Sequence, residues 1–187
     1  MTSPAYPIET ARLRIRPFAE RDLQQMVALY SEPEVLRYLY VGQRSGNEIA
    51  KSLQERCKKT ALSAEGDKLV LAVELKETGI CVGEVILVWL SEVHKSAEIG
   101  FLVHPGFQGR GYAYEATLPL LRFGFEVLQF HRIIGRCDGR NGASARLMEK
   151  LGMRREAHLI ENEFIKGEWT DELVYAQLDR EWRKLNG

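Results

Sequence analysis

One stretch decides the fold of this chain: residues 105–116, which read PGFQGRGYAYEA. The stretch follows a predicted strand and opens a predicted helix. Its glycines Gly109 and Gly111 let the backbone turn tightly and approach a ligand, because no Cβ stands in the way. The helix that begins here points its free N–H groups and the positive end of its dipole at the loop. These features predict an anion site suited to a pyrophosphate.

The loop differs from two other phosphate-binding motifs. No Lys-Ser or Lys-Thr pair follows Gly111, so the stretch is not a Walker P-loop. It also lacks the third glycine and the downstream ribose-binding acid of a dinucleotide fold. Two glycines before a helix can also form no more than a turn, and this stretch alone leaves that alternative open.

Length and charge restrict the class of protein. With 187 residues, we expect one domain over residues 1–187, large enough for a substantial core. The 26 basic and 26 acidic residues balance to a formal charge of zero, which argues against nucleic acid as a default partner. The apolar runs are far shorter than a membrane span and no secretory signal is recognised. We therefore expect a cytoplasmic protein with no membrane partner.

The cysteines and histidines indicate neither a disulfide framework nor a metal site. The scattered cysteines fit reduced thiols in a cytoplasm, and none has an obvious histidine partner for nucleophilic chemistry. The histidines show no metal-ligand spacing, so we predict no metal. The cysteines are Cys57, Cys81 and Cys137, and the histidines are His94, His104, His131 and His158.

Periodicity predicts alternating strands and helices. Residues 12–16 alternate arginine with apolar residues, as in a half-buried strand. Ser45 and Glu48 form a capping-box signature before a helix that runs to about Leu62. Pro119 lies inside the helix after the glycine loop and predicts a kink. The order predicts a mixed α/β sheet with helices on both faces. The other predicted helices cover residues 20–31, 32–39 and 142–151, and the other predicted strands cover 68–76, 80–90, 96–103, 132–138, 154–165 and 170–179.

The whole order of segments resembles the GNAT acyltransferases. The loop matches that family's acyl-CoA pyrophosphate pattern, Gln/Arg-x-x-Gly-x-Gly/Ala, at Gln108, Gly111 and Ala113. The nearest branch is the RimJ/RimL-like group, named for ribosomal-protein N-terminal acetyltransferases. The resemblance implies a GNAT fold with a mixed, mostly antiparallel central sheet, splayed at the CoA site, and helices on both faces. The other segments that carry it are 12–18 as the first strand, 96–101 as the central strand, 141–144 with 149–153 as the second CoA-contacting segment, and 171–175 as the last strand.

The resemblance implies an acyl-CoA site built largely from backbone. Phe101, Leu102 and Val103 would end a splayed strand, on which the pantetheine arm hydrogen-bonds like an added strand. Asn141, at the mouth of a helix, would bond the pantetheine. The alternative for Asn141 is a plain N-cap, and the two roles are compatible. The pyrophosphate would lie on Gln108, Gly109, Arg110, Gly111, Tyr112 and Ala113.

Acyl transfer to an amine also needs a base and an acid. The resemblance places the base of the RimL-type branch at Glu163 and the acid at Ser144. Glu98 and Glu84 lie on predicted strands and are further candidates, since a carboxylate in a half-buried cleft can act as a base near neutral pH. Each carboxylate can also face outward, and Ser144 can be only a helix-start hydroxyl. Many GNAT enzymes place a tyrosine acid where this chain has Met148, which cannot donate a proton.

These observations predict an acyl-CoA-dependent N-acyltransferase, most simply one that acetylates a primary amine with acetyl-CoA as co-substrate. Two alternatives remain: a non-catalytic CoA-binding or sensing protein on the same fold, and a structural interaction domain whose glycine loop is a turn. The expected partners are acyl-CoA and an amine acceptor, either a protein N-terminus or a small molecule, in a monomer or homodimer. The loops that would select the acceptor, about 30–48 and 160–170, carry no readable code, and the choice between an acetyl and a longer or succinyl donor also stays open.

Overall fold

The chain folds into an eight-stranded sheet flanked by helices. The computed structural model describes residues 1–39, 42 and 44–187. The strands are β1 (Ile8–Glu9), β2 (Leu13–Pro17), β3 (Lys68–Leu75), β4 (Cys81–Ser91), β5 (Ser96–Val103), β6 (Arg132–Asp138), β7 (Arg154–Ile165) and β8 (Glu168–Leu178). The helices are α1 (Leu23–Ser31), α2 (Pro33–Arg37), α3 (Gly46–Lys58), α4 (Tyr112–Arg122), α5 (Gly142–Lys150) and α6 (Asp179–Asn186). Across the sheet the strand order is β1-β2-β3-β4-β5-β6-β8-β7. None of the described helices is long and apolar enough to cross a membrane.

The sheet is antiparallel except at its centre. Neighbouring strands run antiparallel, apart from β5 and β6, which are parallel. In the described structure, β5 and β6 pair only through Ser96–Glu98 and Arg132–Ile134. Strand β5 nevertheless stays paired with β4 as far as Val103. From Ile99 onward, β5 therefore has a described strand neighbour on one side only. The predicted mixed, mostly antiparallel and splayed sheet is confirmed.

Helices cover both faces of the sheet, as predicted. On one face, α1 and α3 pack through Met26, Leu29 and Leu53 against Val70 and Ala72 of β3. Successive residues of a strand point to opposite faces of the sheet. The neighbours of Val70 and Ala72 in β3 therefore face the other side, which α4 and α5 cover. Buried members of this second cluster include Leu71, Leu87, Ile99, Ala116, Leu120, Ala145 and Met148.

Helix α3 begins as predicted but ends earlier. The Ser45 hydroxyl oxygen accepts from the Glu48 N–H, and the Glu48 carboxylate accepts from the Ser45 N–H at 2.8 Å, which completes the capping box. The helix stops at Lys58, so the predicted end near Leu62 is wrong. Leu62 is instead buried and pairs with Thr2, whose N–H donates to the Leu62 carbonyl at 2.7 Å. The local sequence carries no signal for a contact between such distant residues.

Two helical segments in the second half of the chain differ from the prediction. Helix α4 continues past Pro119, and Phe123–Val127 then form a wider, π-type turn. This irregular segment begins one turn after Pro119. Helix α6 was not expected. It forms where Trp182 is buried and stacks on Phe125, with ring centroids 5.4 Å apart.

Candidate functional site

The glycine loop joins the end of β5 to the start of α4. Gly109 has a φ of +74° and Gly111 a φ of +81°, in the left-handed region that other L residues rarely adopt. Gly111 is the N-cap of α4. The first N–H groups of a helix have no acceptor within it, so this end of α4 presents donors and the positive end of the dipole. The geometry suits the predicted anion site.

Side chains at the loop fix its shape. The Nε2 of Gln108 donates to the Val103 carbonyl at 2.8 Å and ties the loop to the end of β5. The Nδ1 of His104 accepts from the Gly106 N–H at 3.1 Å. The Gln108 side chain thus contacts the protein, and its predicted part in cofactor binding would act through the shape of the loop.

A basic side chain outside the loop motif also lies at the loop. Arg12, which directly precedes β2, donates from Nη1 to the Arg110 carbonyl at 3.0 Å and from Nε to Glu115 at 2.7 Å. The same arginine lines a cavity of about 570 Å³ beside the start of α4. Arg110, Arg122 and Lys150 also line this cavity, so basic side chains outnumber acidic ones on its wall. Such a wall attracts anions.

The predicted pantetheine residues lie on the open side of the sheet. Phe101 and Leu102 are half-buried, and Val103 is buried. Phe101 packs against the α4 and α5 face, whereas Leu102 packs against the α1 and α3 face. Since the described β6 leaves β5 unpaired from Ile99 onward, backbone groups on that side can pair with an extended ligand.

Asn141 and Ser144 lie together at the start of α5. The Oδ1 of Asn141 accepts from the Ser144 N–H at 3.0 Å, so Asn141 is the N-cap of this helix. The cap uses the amide oxygen, and only Nδ2 of the side chain can donate to a ligand. Met148, one turn later, is buried and packs against Gly135, where an added Cβ would lie 2.6 Å from the Met148 sulfur. The side chain at position 148 therefore fills the core.

A polar network links two of the candidate bases, Glu98 and Glu163. Arg136 on β6 donates to the two oxygens of Glu98 at 3.1 and 3.0 Å. The same guanidinium lies 3.6 Å from Glu172 on β8. The Asn162 amide donates to Glu172 at 3.2 Å and to Glu163 at 3.5 Å. The linking residues come from three strands and were missed by sequence reasoning, because no motif or spacing connects them.

Glu163 follows an irregular stretch of β7. The register of β7 with β8 shifts between Leu159 and Glu163, which marks a β-bulge. Asp171 on β8 holds this bulge: its carboxylate accepts from the Glu161 N–H at 3.0 Å and lies 2.6 Å from Nε2 of His158. A bulge changes the direction of the side chains that follow it. The contacts of Asp171 thus lie in the segment that leads to Glu163.

Glu84 has a different environment from the other candidate bases. Arg56 of α3 donates to its two oxygens at 2.7 and 3.1 Å, and the Tyr30 hydroxyl of α1 donates at 2.8 Å. The Glu84 residue is only 3% exposed. Burial, followed by the nearby Glu84 charge, raises the pKa of Tyr30 and keeps its hydroxyl protonated. These contacts favour the structural alternative for Glu84.

The two loops expected to select the acceptor lie side by side. Lys166, in the turn between β7 and β8, donates to the Leu36 carbonyl of α2. Residues 40, 41 and 43 of the first loop lie outside the described residues. The contact joins the two loops. A cavity of about 600 Å³ between them is lined by Ser31, Pro33, Glu34, Leu36, Arg37, Gly42 and Lys166.

The side chains that bind metals or act as thiol nucleophiles form no site in the described part of the chain. Across residues 1–39, 42 and 44–187, no group of three or more His, Cys, Asp and Glu side chains could hold a metal ion. The cysteines are free thiols. Burial raises the pKa of Cys81 to about 12 and that of Cys137 to about 11. These two thiols stay protonated near neutral pH and are poor nucleophiles.

Comparisons with known proteins agree with the geometry. The model of the acetyltransferase (GNAT) domain family matches residues 12–154. A curated relative from Bacillus subtilis (strain 168), the uncharacterized N-acetyltransferase YnaD, is 34% identical over 94% of this chain and 98% of its own length. The spermidine N(1)-acetyltransferase of Escherichia coli (strain K12) is 26% identical over 84% of this chain and 81% of its own length. The solved structure of a GNAT-family acetyltransferase from Bacillus anthracis superposes with a TM-score of 0.82 at 30% identity, covering 92% of this chain and 98% of that chain.

Proposed function

This chain belongs to the GNAT acetyltransferase family and is an N-acetyltransferase, and on that premise we propose that it transfers the acetyl group of acetyl-CoA to a primary amine. The observation that carries the proposal is the open side of β5, which leads directly into the glycine-turned start of α4. The open side of β5 can pair with an extended arm, and the start of α4 can bind a diphosphate joined to that arm. Acetyl-CoA has this shape.

The proposed cofactor contacts are made mainly by backbone. The pantetheine arm pairs with the open side of Phe101–Val103 and accepts a hydrogen bond from Nδ2 of Asn141. The pyrophosphate lies against residues 108–113, where the N–H groups at the start of α4 are free to donate. This arrangement holds the thioester beside β5 without a metal ion.

The reaction needs one bond to form and one to break. The nitrogen of a neutral amine attacks the thioester carbonyl, the new C–N bond forms, and the C–S bond breaks as CoA leaves. Glu163 takes the proton that the amine nitrogen loses, and the Ser144 hydroxyl stabilises the leaving sulfur or protonates it. A peptide N-terminal amine has a pKa near 8, so a minority is already neutral at about pH 7. A modest base is sufficient for such an acceptor.

The acceptor side of the proposed site favours a cation. Among the described residues, the polar network contains three carboxylates, Glu98, Glu163 and Glu172, and one guanidinium, that of Arg136. This excess of negative charge attracts an ammonium group before it loses its proton. We propose two acceptor classes to compare. The RimJ/RimL-like placement favours peptide N-termini, and the name of the E. coli relative supports polyamines.

The test is release of free CoA thiol from acetyl-CoA by the purified protein. Peptides with a free N-terminus, the same peptides with a blocked N-terminus, and polyamines are offered as acceptors. We expect turnover with one amine class and none with the blocked peptides. A CoA-dependent rise in melting temperature without turnover on any amine would support the non-catalytic CoA-binding alternative. A ligand at a hundredfold excess over its Kd stabilises a fold by about 2.7 kcal/mol. An unchanged melting temperature in the presence of saturating CoA would therefore contradict the cofactor site.

The proposal also covers the cellular compartment and the oligomeric state of the protein. The free thiols support a cytoplasmic, reducing compartment. We propose a monomer or homodimer, which sedimentation of the purified protein would distinguish.

A further inference from the structure

Arg12 connects the short segment between β1 and β2 to the glycine loop through its whole guanidinium group. Nη1 donates to the Arg110 carbonyl at 3.0 Å. Nε and Nη2 lie 2.7 and 2.6 Å from Oε2 of Glu115. The group also lies over the Tyr112 ring, 4.6 Å from its centroid. Each nitrogen contacts an acceptor of the protein, so the guanidinium plane is held in one orientation.

Glu115 is the second half of this connection. Its Oε1 accepts from the backbone N–H of Arg12 at 2.8 Å and from the Thr10 hydroxyl at 2.7 Å. Partial burial opposes ionisation, but these hydrogen bonds and the Arg12 charge hold the pKa of Glu115 below its ordinary value. Glu115 lies in the first turn of α4. A bare carboxylate there would compete with a bound anion for the positive end of the helix dipole, and Arg12 offsets that charge.

The hydrogen bond to Arg110 has a directional consequence. The Arg110 carbonyl and the Gly111 N–H belong to one peptide unit, which is planar and trans, so the two groups point in opposite directions. Arg12 holds the carbonyl towards itself at 3.0 Å. The Gly111 N–H is therefore held pointing away from Arg12. Because Gly111 has a φ of +81° and no Cβ, the loop adopts this orientation without strain.

We propose that Arg12 is a positioning residue for the pyrophosphate of the cofactor, an inference that rests on the proposed function. It orients the Gly111 N–H for the diphosphate and cancels the charge of Glu115 in the first turn of α4. Arg12 itself stays bonded to the protein. The loop motif alone is thus incomplete, and its last element is the residue before β2, about a hundred positions earlier in the chain.

The experiment measures the dissociation constants of CoA and of pantetheine, which lacks the pyrophosphate, by calorimetry. Arg12→Gln is expected to raise the CoA constant about tenfold, the effect of one charge-assisted hydrogen bond, and to leave the pantetheine constant unchanged. Arg12→Lys keeps the charge but lacks the planar fork, so it is also expected to weaken CoA binding. Once the turnover assay has identified an acceptor, KM for acetyl-CoA should rise in both Arg12 variants, and kcat at saturating acetyl-CoA should stay constant.

Arg14→Gln is the matched control. Arg14 lies two residues later, in β2, with a similarly exposed side chain, 42% against 48% for Arg12, and it pairs with Glu9 and Glu74 rather than with the loop. Its CoA constant should equal that of the wild type. Adding Glu115→Gln to Arg12→Gln should restore part of the CoA affinity, since the uncancelled charge is removed.

Three results would overturn the inference. They are wild-type CoA affinity in either Arg12 variant, an equal loss for CoA and pantetheine, and the same loss in Arg14→Gln. If Arg12→Gln does not fold, Arg12→Lys decides the question. Failure of the wild type to bind CoA would instead contradict the proposed function, so the two failures are distinguishable.

Discussion

The two halves of the candidate site are built from different materials. On the cofactor side, the open edge of β5, the glycine loop and the start of α4 offer backbone groups from one continuous stretch of chain. On the acceptor side, the polar network consists of side chains from β5, β6, β7 and β8. Backbone groups are the same whatever the side chain, whereas each member of the network can be replaced by substitution.

Because of this difference, such an enzyme can keep its acyl-CoA site and change its acceptor through side-chain substitutions. The described hydrogen bonds of Arg136 and Asn162 go to Glu98, Glu163 and Glu172, so a substitution at either position alters charge and hydrogen bonding on the acceptor side. A substitution at Gly111 changes the backbone conformation itself, because its φ of +81° suits glycine. We therefore expect lesions in the two halves to separate cleanly into loss of CoA binding and loss of turnover.

The largest effect is expected for Gly111→Val. The branched side chain would block the approach of the diphosphate and disfavour the left-handed backbone, so we expect loss of CoA binding by calorimetry. The free energy of unfolding should fall by only about 1–2 kcal/mol, the cost of that region for an L residue. Gly79→Val is the control: Gly79 has a φ of +69° in a turn with open space around it. It should cost similar stability and leave CoA binding intact. Undiminished CoA binding in Gly111→Val would make the loop a mere turn.

A smaller effect, on turnover alone, is expected for Glu163→Gln. Loss of a general base should lower kcat by roughly 10²-fold with little change in CoA affinity. Glu161→Gln is the control, because Glu161 is exposed and contributes its N–H, not its carboxylate, to the bulge. Full activity in Glu163→Gln with loss in Glu98→Gln would move the base to β5. Full activity in both would mean that proximity and the neutral fraction of the acceptor suffice.

Asp171→Ala tests whether the bulge positions the base. Without the bonds to the Glu161 N–H and His158, the segment that carries Glu163 should shift, and we expect kcat to fall about tenfold, since misplacement by a fraction of an ångström slows a reaction. CoA affinity should not change. Asp179→Ala removes a comparable partner from His131, 3.3 Å away at the start of α6, and should retain kcat. An unchanged kcat in Asp171→Ala would assign the Asp171 contacts to the fold alone.

The smallest effect is expected for Ser144→Ala. Water can protonate a thiolate with a pKa of about 8.5, so kcat should fall less than about tenfold. The helix cap should survive, because it uses the Ser144 backbone N–H and the Asn141 side chain. Stopped-flow measurement of thiol release under single-turnover conditions would report this step directly. A fall as large as that of Glu163→Gln would make Ser144 an indispensable acid.

The contrast between backbone and side chains also explains what could be predicted from the sequence. Gly109, Gly111 and the Asn141 cap were predictable because each meets a local backbone requirement. The strands and most helices follow the same local periodicities. The splayed centre of the sheet came from the resemblance to a known family, and the observed pairing of β5 with β6 confirms it.

The parts that escaped prediction depend on contacts between distant positions. Arg12 and Glu115 are 103 residues apart, and Leu62, beyond the end of α3, pairs with Thr2. The network through Arg136 likewise exists only after the last four strands have assembled in their final order. Neither periodicity nor turn chemistry records which distant side chains will meet.

The unpaired side of β5 has one more consequence. Between Ile99 and Val103, β5 has no described strand neighbour on the side of β6, so a bound co-substrate would take the place of that neighbour. A molecule that binds only the folded state protects it by mass action. Saturating acetyl-CoA would then slow proteolysis of the purified protein wherever cleavage requires the fold to open.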